Sequence, residues 1–582
     1  MLTLKDLRRQ ALVLAIAGAV GIAGSAQAAK PNSGAQLATV SHATPLSRGD
    51  VVRGALALSH PIHITVALNL RNRAQLDAYN AKPHQPMSRA ELAANYLPTS
   101  AQAQAVADFL KSAGFTNVRI SASRMLVNAD ASAAVASRAF NTSFVQVRTH
   151  DGRIAFANTS AIQVPAALAG SVRAVLGAQT VHQAHTYAVK ATTTGGIGGH
   201  LTPEFADIYG ASGLGPATNV DVAIIGWGSM EQSVTDLGDF MTNNPGYSAG
   251  TVSVVCTDVG ATIDPNTGMP SGGTTTIGDS TCGGNSDQGS VEWSMDSQSI
   301  LGITGGVRSL TFYAAQSGNN FEITDAINEV VYPSQGEPLA SVINQSYGEC
   351  ERFEDSTHTF VYSDGNTYSG DGTAQADDQL YAVGVAQGQT FSASTGDSGA
   401  DECVKDGLAA ALNNASYPAS SPYNVAVAGT TLNASSTTWS RETEWVGSGG
   451  SPSSFEASPS WQTALTYGTF KGMRGPDVAF DANPNTGAIY YNGGSLIQVG
   501  GTSLASPLFV GAWARLIANG AVDPMTPAGQ QLYAMPASFF HDITGGNNGG
   551  YITRRGWDWA SGRGSLNLSN FSSQVTAAAI KR

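Results

Sequence analysis

The stretch "IQVGGTSLASPLFVGAWARL" (497–516) decides how the rest of the chain is read. It opens as a strand end, turns on two glycines, passes through small residues and continues as an apolar helix. A hydrolase holds a nucleophilic serine in such a setting, and here that serine is Ser503. The small residues let a substrate backbone come close, and Pro507 is expected in the first helical turn. The same letters also fit an ordinary helix start capped by Ser or Thr. A serine hydroxyl is a weak nucleophile until a neighbouring base takes its proton, so Ser503 needs a partner from elsewhere in the chain.

The surrounding pattern supplies the scaffold. Short apolar strands recur at "DVAIIGWG" (221–228), "SLTFYAA" (309–315), "SVINQSYG" (341–348), "TFSASTGD" (390–397) and "NVAVAGT" (424–430). Helical stretches such as "ITDAINEVVY" (323–332) and "DDQLYAVGVAQG" (377–388) lie between them. Unbroken apolar strands alternating with helices predict an α/β domain, a doubly wound parallel sheet covered on both faces. Active groups in such sheets gather at the carboxyl ends of the strands. Those ends carry the polar signals "GWG", "SYGECE" and "TGDSGA".

Histidine is the usual base, but residues 198–582 offer only His200, His358 and His541, and none stands in an "HGT"-like strand-to-helix context. Carboxylates are the alternative. "NSDQGSVEWSMDSQSILGI" (285–303) reads as the start of a helix that puts Glu292 and Asp296 four residues apart on one face. The helix dipole alone accounts for acids in a first turn. A close pair also shares a proton, because two adjacent carboxylates resist joint ionisation, and Glu292 could then take the Ser503 proton with Asp296 orienting it. "FSASTGDSGADE" (391–402) ends a strand on Asp397. That residue reads either as a turn former or as an acid kept protonated to donate to an oxyanion.

Taken together and in order, "EWSMD", "SYGECE", "STGDSGA", "RGPDVAFDANPNTG" (474–487) and "GGTSLASP" resemble the sedolisins, the serine-carboxyl peptidases. The resemblance covers residues 42–570, and the bacterial pseudomonalisin type is the nearest in pattern. It implies a subtilisin-like fold with Ser503 as nucleophile, Glu292 as general base and acid, Asp296 as its partner and Asp397 in the oxyanion hole. It also implies one structural Ca2+ near the C-terminus, where "HDITGG" (541–546) and "RRGWDWASGRGS" (554–565) match the two halves of the family's site. The implied ligands are the Asp542 and Asp558 side chains and the carbonyls of Ile543, Arg554 and Gly556, with water. Arg554 stands where the family pattern has glycine.

The N-terminal part reads differently. Residues 42–189 look like a small α+β unit, with strands at "HITVALNL" (63–70) and "NVRISASRMLVNAD" (117–130), helices at "SAQAQAVADFLKSAG" (100–114) and "ASAAVASRAF" (131–140), and a closing segment "GSVRAVLGA" (170–178). "KATTTGGIGGHLTP" (190–203) reads as a linker. Residues 1–190 hold 18 Lys and Arg against 7 Asp and Glu, whereas residues 191–582 hold 12 against 36. Opposite charges on the two parts favour their mutual attraction and argue against nucleic acid as a partner of the larger one. Each part having its own solvated surface is the plainer alternative.

Residues 1–28 carry Lys5, Arg8 and Arg9, an apolar run and the small-residue end "SAQA", the pattern of a secretory signal. The expected organisation is therefore signal peptide 1–28, propeptide 29–190 and peptidase domain 191–582. Four cysteines in an exported chain point to two disulfides, and nearness in sequence favours Cys256–Cys282 and Cys350–Cys403. The expectation is a secreted, monomeric, acid-active endopeptidase acting on proteins, with its own propeptide bound in cis and no membrane or nucleic-acid partner. Two other classes remain open: a conventional Ser/His/Asp hydrolase, and an inactive binding protein on a peptidase scaffold.

Overall fold

The computed structural model describes residues 36–191, 198–257, 289–361, 367–405 and 411–572, with short pieces at 262–263, 270–271 and 276–277 and the single residues Cys282 and Leu408. The expected signal peptide and the middle of the expected linker lie outside the described residues.

A long twisted sheet organises the C-terminal part. Its parallel core runs, in spatial order, Ala249–Thr257, Val307–Ala315, Ala217–Trp227, Val342–Gln345, Thr390–Ser394, Asn424–Ser435 and Val478–Asp481. Thr438–Glu444 adds an antiparallel edge beside Asn424–Ser435. Every residue from Val220 to Trp227 is buried. Side chains alternate between the faces of a sheet, so continuous burial means that both faces are covered. Each such Val or Ile contributes roughly 1.5–3 kcal/mol. The helices Ser290–Thr304 and Thr502–Ala518 pack on each other and on the sheet, as do Asn320–Val331 and Thr373–Ala386. This is the expected α/β architecture.

The N-terminal part has a four-stranded antiparallel sheet in the order Thr116–Ile120, Leu126–Ser132, Pro61–Leu68, Val172–Leu176. Ile62, Ile64, Val66 and Leu68 point to one face, where Val106 and Leu110 of the helix Ser100–Ala113 cover them. That helix starts on a Thr99–Gln102 capping box and ends at Gly114. The other face carries Ala67, Leu126, Ala174 and Leu176, and these pack on Phe321 and Ala376 of the C-terminal part. The small sheet is thus sealed on one side by its own helix and on the other by the larger part. Neutral hydrogen bonds join the two, among them Ser123 Oγ to Asn328 Oδ1 at 2.6 Å and the Leu70 N–H to Gln379 Oε1 at 2.7 Å. A hydrogen bond between His185 Nε2 and Glu402 Oε1 at 3.1 Å also crosses.

Both disulfides pair as favoured from the sequence, Cys256–Cys282 and Cys350–Cys403. Four readings are revised. The stretch 117–130, expected as one strand, is two antiparallel strands, Thr116–Ile120 and Leu126–Ser132. The run 341–348 breaks at Ser346 into Val342–Gln345 in the main sheet and Tyr347–Cys350 outside it. The hairpin Ala488–Asn492/Ser495–Gly500 and the helix Glu231–Asn243 were not anticipated. Pro507 lies in the second turn of its helix, not the first. Lacking an N–H, it leaves the Ser503 carbonyl without the usual helical partner, and the Ser346 hydroxyl, whose one proton has its shorter acceptor in Asp296 Oδ1 at 2.8 Å, lies 3.2 Å from that carbonyl.

Candidate active site

Ser503 sits in the first turn of the helix Thr502–Ala518 and is fully buried. The turn before it depends on Gly501, whose φ of 102° suits glycine. The Ser503 hydroxyl donates to the Ser346 carbonyl at 3.2 Å and accepts the Tyr187 N–H at 3.0 Å.

The helix Ser290–Thr304 packs against the serine helix and brings Glu292 and Asp296 to the same place. Both side chains are buried. The Ser503 hydroxyl and the Ala188 N–H are the polar groups that face the Glu292 carboxyl, yet neither of its oxygens completes a hydrogen bond. Such bonds are often long before a reacting complex forms. Asp296 Oδ1 accepts the Ser346 hydroxyl at 2.8 Å, and Oδ2 is buried without a partner. Burial pushes both carboxyls well above the ordinary carboxylate range, and for Glu292 the neighbouring Asp296 charge adds to it. Two buried carboxyls this close resist joint ionisation.

Asp397 follows the strand Thr390–Ser394. Its Oδ1 accepts the Thr502 N–H at 2.8 Å and the Thr502 hydroxyl at 2.9 Å. The other oxygen, Oδ2, is sealed from solvent and unpartnered. Burial pushes this carboxyl up to about 8, so below that pH Oδ2 has a proton to donate. The four residues singled out in the sequence come together at the carboxyl ends of the strands. Ser346, Thr502 and Gly501 join them. Ser346 was visible only as the end of a central strand, within a stretch quoted without a role.

The histidines are engaged elsewhere. His200 lies 3.5 Å from Glu204, His358 Nδ1 lies 2.8 Å from Asp355, and His541 stacks on Trp439 at 3.9 Å.

A second acidic site flanks the exposed turn Arg554–Gly556. The Asp542 carboxylate accepts the Gly556 N–H at 3.0 and 3.1 Å, and Asp558 Oδ2 accepts the Arg554 N–H at 2.7 Å. Ile543 is buried behind Asp542. The Arg554 guanidinium stacks over Tyr467 at 4.6 Å, which draws its charge away from the turn. Burial raises Asp558 to about 6, so a nearby cation would favour its ionised form. Two carboxylates reaching one turn suit a hard cation such as Ca2+. Among the described residues no three His, Cys, Asp or Glu side chains are set to hold a metal ion by themselves, so carbonyls and water would have to complete the donor set.

Fold and site define a subtilisin-type serine peptidase preceded by an activation domain. The family descriptions agree: "Pro-kumamolisin, activation domain" matches residues 48–181 and "Subtilase family" matches residues 211–537. The chain is 37% identical to sedolisin of Pseudomonas sp. (strain 101) over 89% of its length and 88% of that protein. It is 36% identical to xanthomonalisin of Xanthomonas sp. (strain T-22) over 90% of its length, spanning 66% of that longer protein. A solved Pseudomonas sedolisin, a serine-carboxyl proteinase complexed with two molecules of pseudo-iodotyrostatin, superposes with a TM-score of 0.54 at 37% identity. The match covers 65% of this chain and 98% of that one. The chain belongs to the sedolisin family and is a serine-type peptidase with an activation domain.

Proposed function

We propose that the protein is a secreted endopeptidase, active in acid, made as a zymogen with residues 29–190 as propeptide and residues 191–582 as the peptidase. The carrying observation is that the Ser503 hydroxyl faces the buried Glu292–Asp296 pair, while His200, His358 and His541 are engaged with other residues. Glu292 accepts the Ser503 proton as the oxygen attacks a substrate carbonyl, with Asp296 orienting Glu292 and sharing its charge. Protonated Asp397 donates to the developing oxyanion. Glu292 then returns its proton to the leaving nitrogen, and water repeats the sequence on the acyl-enzyme.

Acid suits this chemistry. Asp397 and one member of the pair must each carry a proton, and both protons are lost as the pH rises. Once the propeptide leaves, solvent reaches the cleft and the burial that raises these groups diminishes, which moves the working range further toward acid. Opposite net charges on propeptide and peptidase add attraction that fades as carboxylates are neutralised, so acid also favours release. Propeptide binding indifferent to pH and salt would contradict that last step.

The Asp542 and Asp558 carboxylates and the carbonyls of Ile543, Arg554 and Gly556 would hold one Ca2+. Its charge would pin the C-terminal turn, with no part in the reaction. Substrates are proteins and peptides, and the enzyme acts as a monomer. Among the described residues no helix is long and apolar enough to cross a membrane, and the N-terminal signal pattern is the support for secretion.

The test is casein digestion across the pH range with wild-type, Glu292→Gln and triple His200/His358/His541→Ala proteins. Activity confined to acid, abolished in the first variant and retained in the second, is expected. An optimum at pH 7 or above, or loss on removing the histidines, would return the conventional triad.

A further inference from the structure

The segment before the expected linker runs through the cleft, and its register singles out one peptide bond. His185 and Thr186 pair antiparallel with Gly348 and Tyr347. Val189 and Lys190 pair antiparallel with Gly500 and Val499. Tyr187 and Ala188 lie between the two ladders. The Tyr187 N–H donates to Ser503 Oγ at 3.0 Å, and the Ala188 N–H faces the Glu292 carboxyl. The Tyr187 carbonyl oxygen and Asp397 Oδ2 both crowd Gly501, where a methyl group would lie 1.7 Å from the first and 2.7 Å from the second. Nucleophile, leaving-group acid and carbonyl donor thus gather around Tyr187 and the peptide bond that follows it.

The Tyr187 side chain locks that register. It is fully buried, its hydroxyl is 2.6 Å from Ser416 Oγ, and the Lys405 ammonium is 5.7 Å from its ring centroid. Gly348 leaves the room: a Cβ there would lie 2.7 Å from the Tyr187 hydroxyl and 2.3 Å from Ser416 Oγ. Slipping the segment by one residue would turn Tyr187 out of the pocket and break both ladders.

We propose that the first self-cleavage of this chain severs the Tyr187–Ala188 bond, with Tyr187 seated in the pocket of Gly348, Ser416 and Tyr417. The inference rests on the roles given above to Ser503, Glu292 and Asp397. Ser503 Oγ bonds to the Tyr187 carbonyl carbon while its proton passes to Glu292. The carbon–nitrogen bond then breaks, and Glu292 protonates the Ala188 nitrogen, which becomes a free amine. Water hydrolyses the Tyr187 ester, leaving a carboxylate at Tyr187 and regenerating the Ser503 hydroxyl. The segment is therefore both plug and first substrate, and cutting it frees both ends from the cleft.

The experiment is acidification of the purified full chain, quenching at short times, intact-mass analysis and N-terminal sequencing. The earliest fragments should end at Tyr187 and begin at Ala188, and Ser503→Ala should yield neither. Ala188→Pro removes the N–H that faces Glu292 and should slow that first cut by about tenfold or more. An earliest cut elsewhere in a protein that digests casein, or an undiminished rate in Ala188→Pro, overturns this inference and leaves the peptidase assignment standing. A wild-type chain that neither processes itself nor digests casein overturns both.

Discussion

Acidic side chains gather in two places, and the two treat them in opposite ways. Around Ser503 the carboxyls of Glu292, Asp296 and Asp397 are shut away with at least one oxygen each left unpartnered. Around the turn Arg554–Gly556, Asp542 and Asp558 accept backbone N–H groups at 2.7–3.1 Å. Asp558 Oδ1 accepts three further donors from Ala560 and Ser561. A buried acid with an oxygen left free keeps a proton it can trade, whereas an acid whose two oxygens are both taken by donors is held in place. The first arrangement serves proton transfer, and the second suits holding a turn or a cation.

The contrast breaks most directly at Glu292. Glu292→Gln preserves shape and removes the basic oxygen, so turnover should fall on the order of 10⁴-fold or more. Ser503→Ala should match it, because members of one catalytic unit do not add independently. Circular dichroism should be unchanged in both, and full activity in Glu292→Gln would remove the carboxyl base altogether.

Asp397 comes next. Asp397→Ala deletes the donor that faces the carbonyl and should cost about 10²–10³-fold in kcat with KM little altered. The sign of its pH dependence follows from burial, which raises the carboxyl to about 8 with the cleft filled. The donating form is present below that value and is lost as the pH rises through it. Asp397→Asn keeps a donor at every pH, so it should soften the alkaline limb of the rate profile. A limb identical to that of wild type would assign it to the Glu292–Asp296 pair alone.

Sequence and structure divide the site unevenly. The parallel strands were legible because strands buried on both faces must be apolar throughout, as Val222–Trp227 is. Glu292, Asp296, Asp397 and Ser503 each also fit a plain role as helix cap, dipole partner or turn former, and only their occurrence together with the other motifs singled them out as candidates. Ser346 was not, because a serine at a strand end looks the same whether it faces Asp296 or solvent. Nor was the role of Tyr187, because only the pairing of His185–Thr186 with one strand and Val189–Lys190 with another sets it over Ser503. The position of Pro507 was misread because proline is tolerated in a second turn when a polar group, here the Ser346 hydroxyl 3.2 Å away, stands by the freed carbonyl.

Ser346 gives the smaller catalytic prediction. Its hydroxyl donates to Asp296 Oδ1 and holds that carboxyl lower than burial alone would. Ser346→Ala should raise the Asp296 pKa, shift the acid limb of the rate profile toward higher pH and reduce kcat by about tenfold, the value of one lost charge-assisted hydrogen bond. An unmoved acid limb would mean that Asp296 does not titrate in the working enzyme.

The smallest effect on catalysis belongs to the other acidic site, and that smallness is its test. If Asp542 and Asp558 hold Ca2+, ligand binding stabilises the folded state by mass action, about 2.7 kcal/mol at a hundred times the Kd. Adding Ca2+ to chelator-treated protein should raise the unfolding temperature in a concentration-dependent way. Asp558→Ala should abolish that rise, and because its oxygens also tie Ala560 and Ser561, it should lower the baseline as well. Asp542→Asn separates the two effects, since the amide oxygen can still accept the Gly556 N–H while the charge is gone. That variant should keep the apo unfolding temperature and lose most of the Ca2+ response, with kcat in acid unchanged at low temperature. A Ca2+ response that survives Asp542→Asn would leave the turn as a backbone cap with no cation to hold, and the opposition between the two acidic clusters would then be one of trading protons against accepting N–H groups alone.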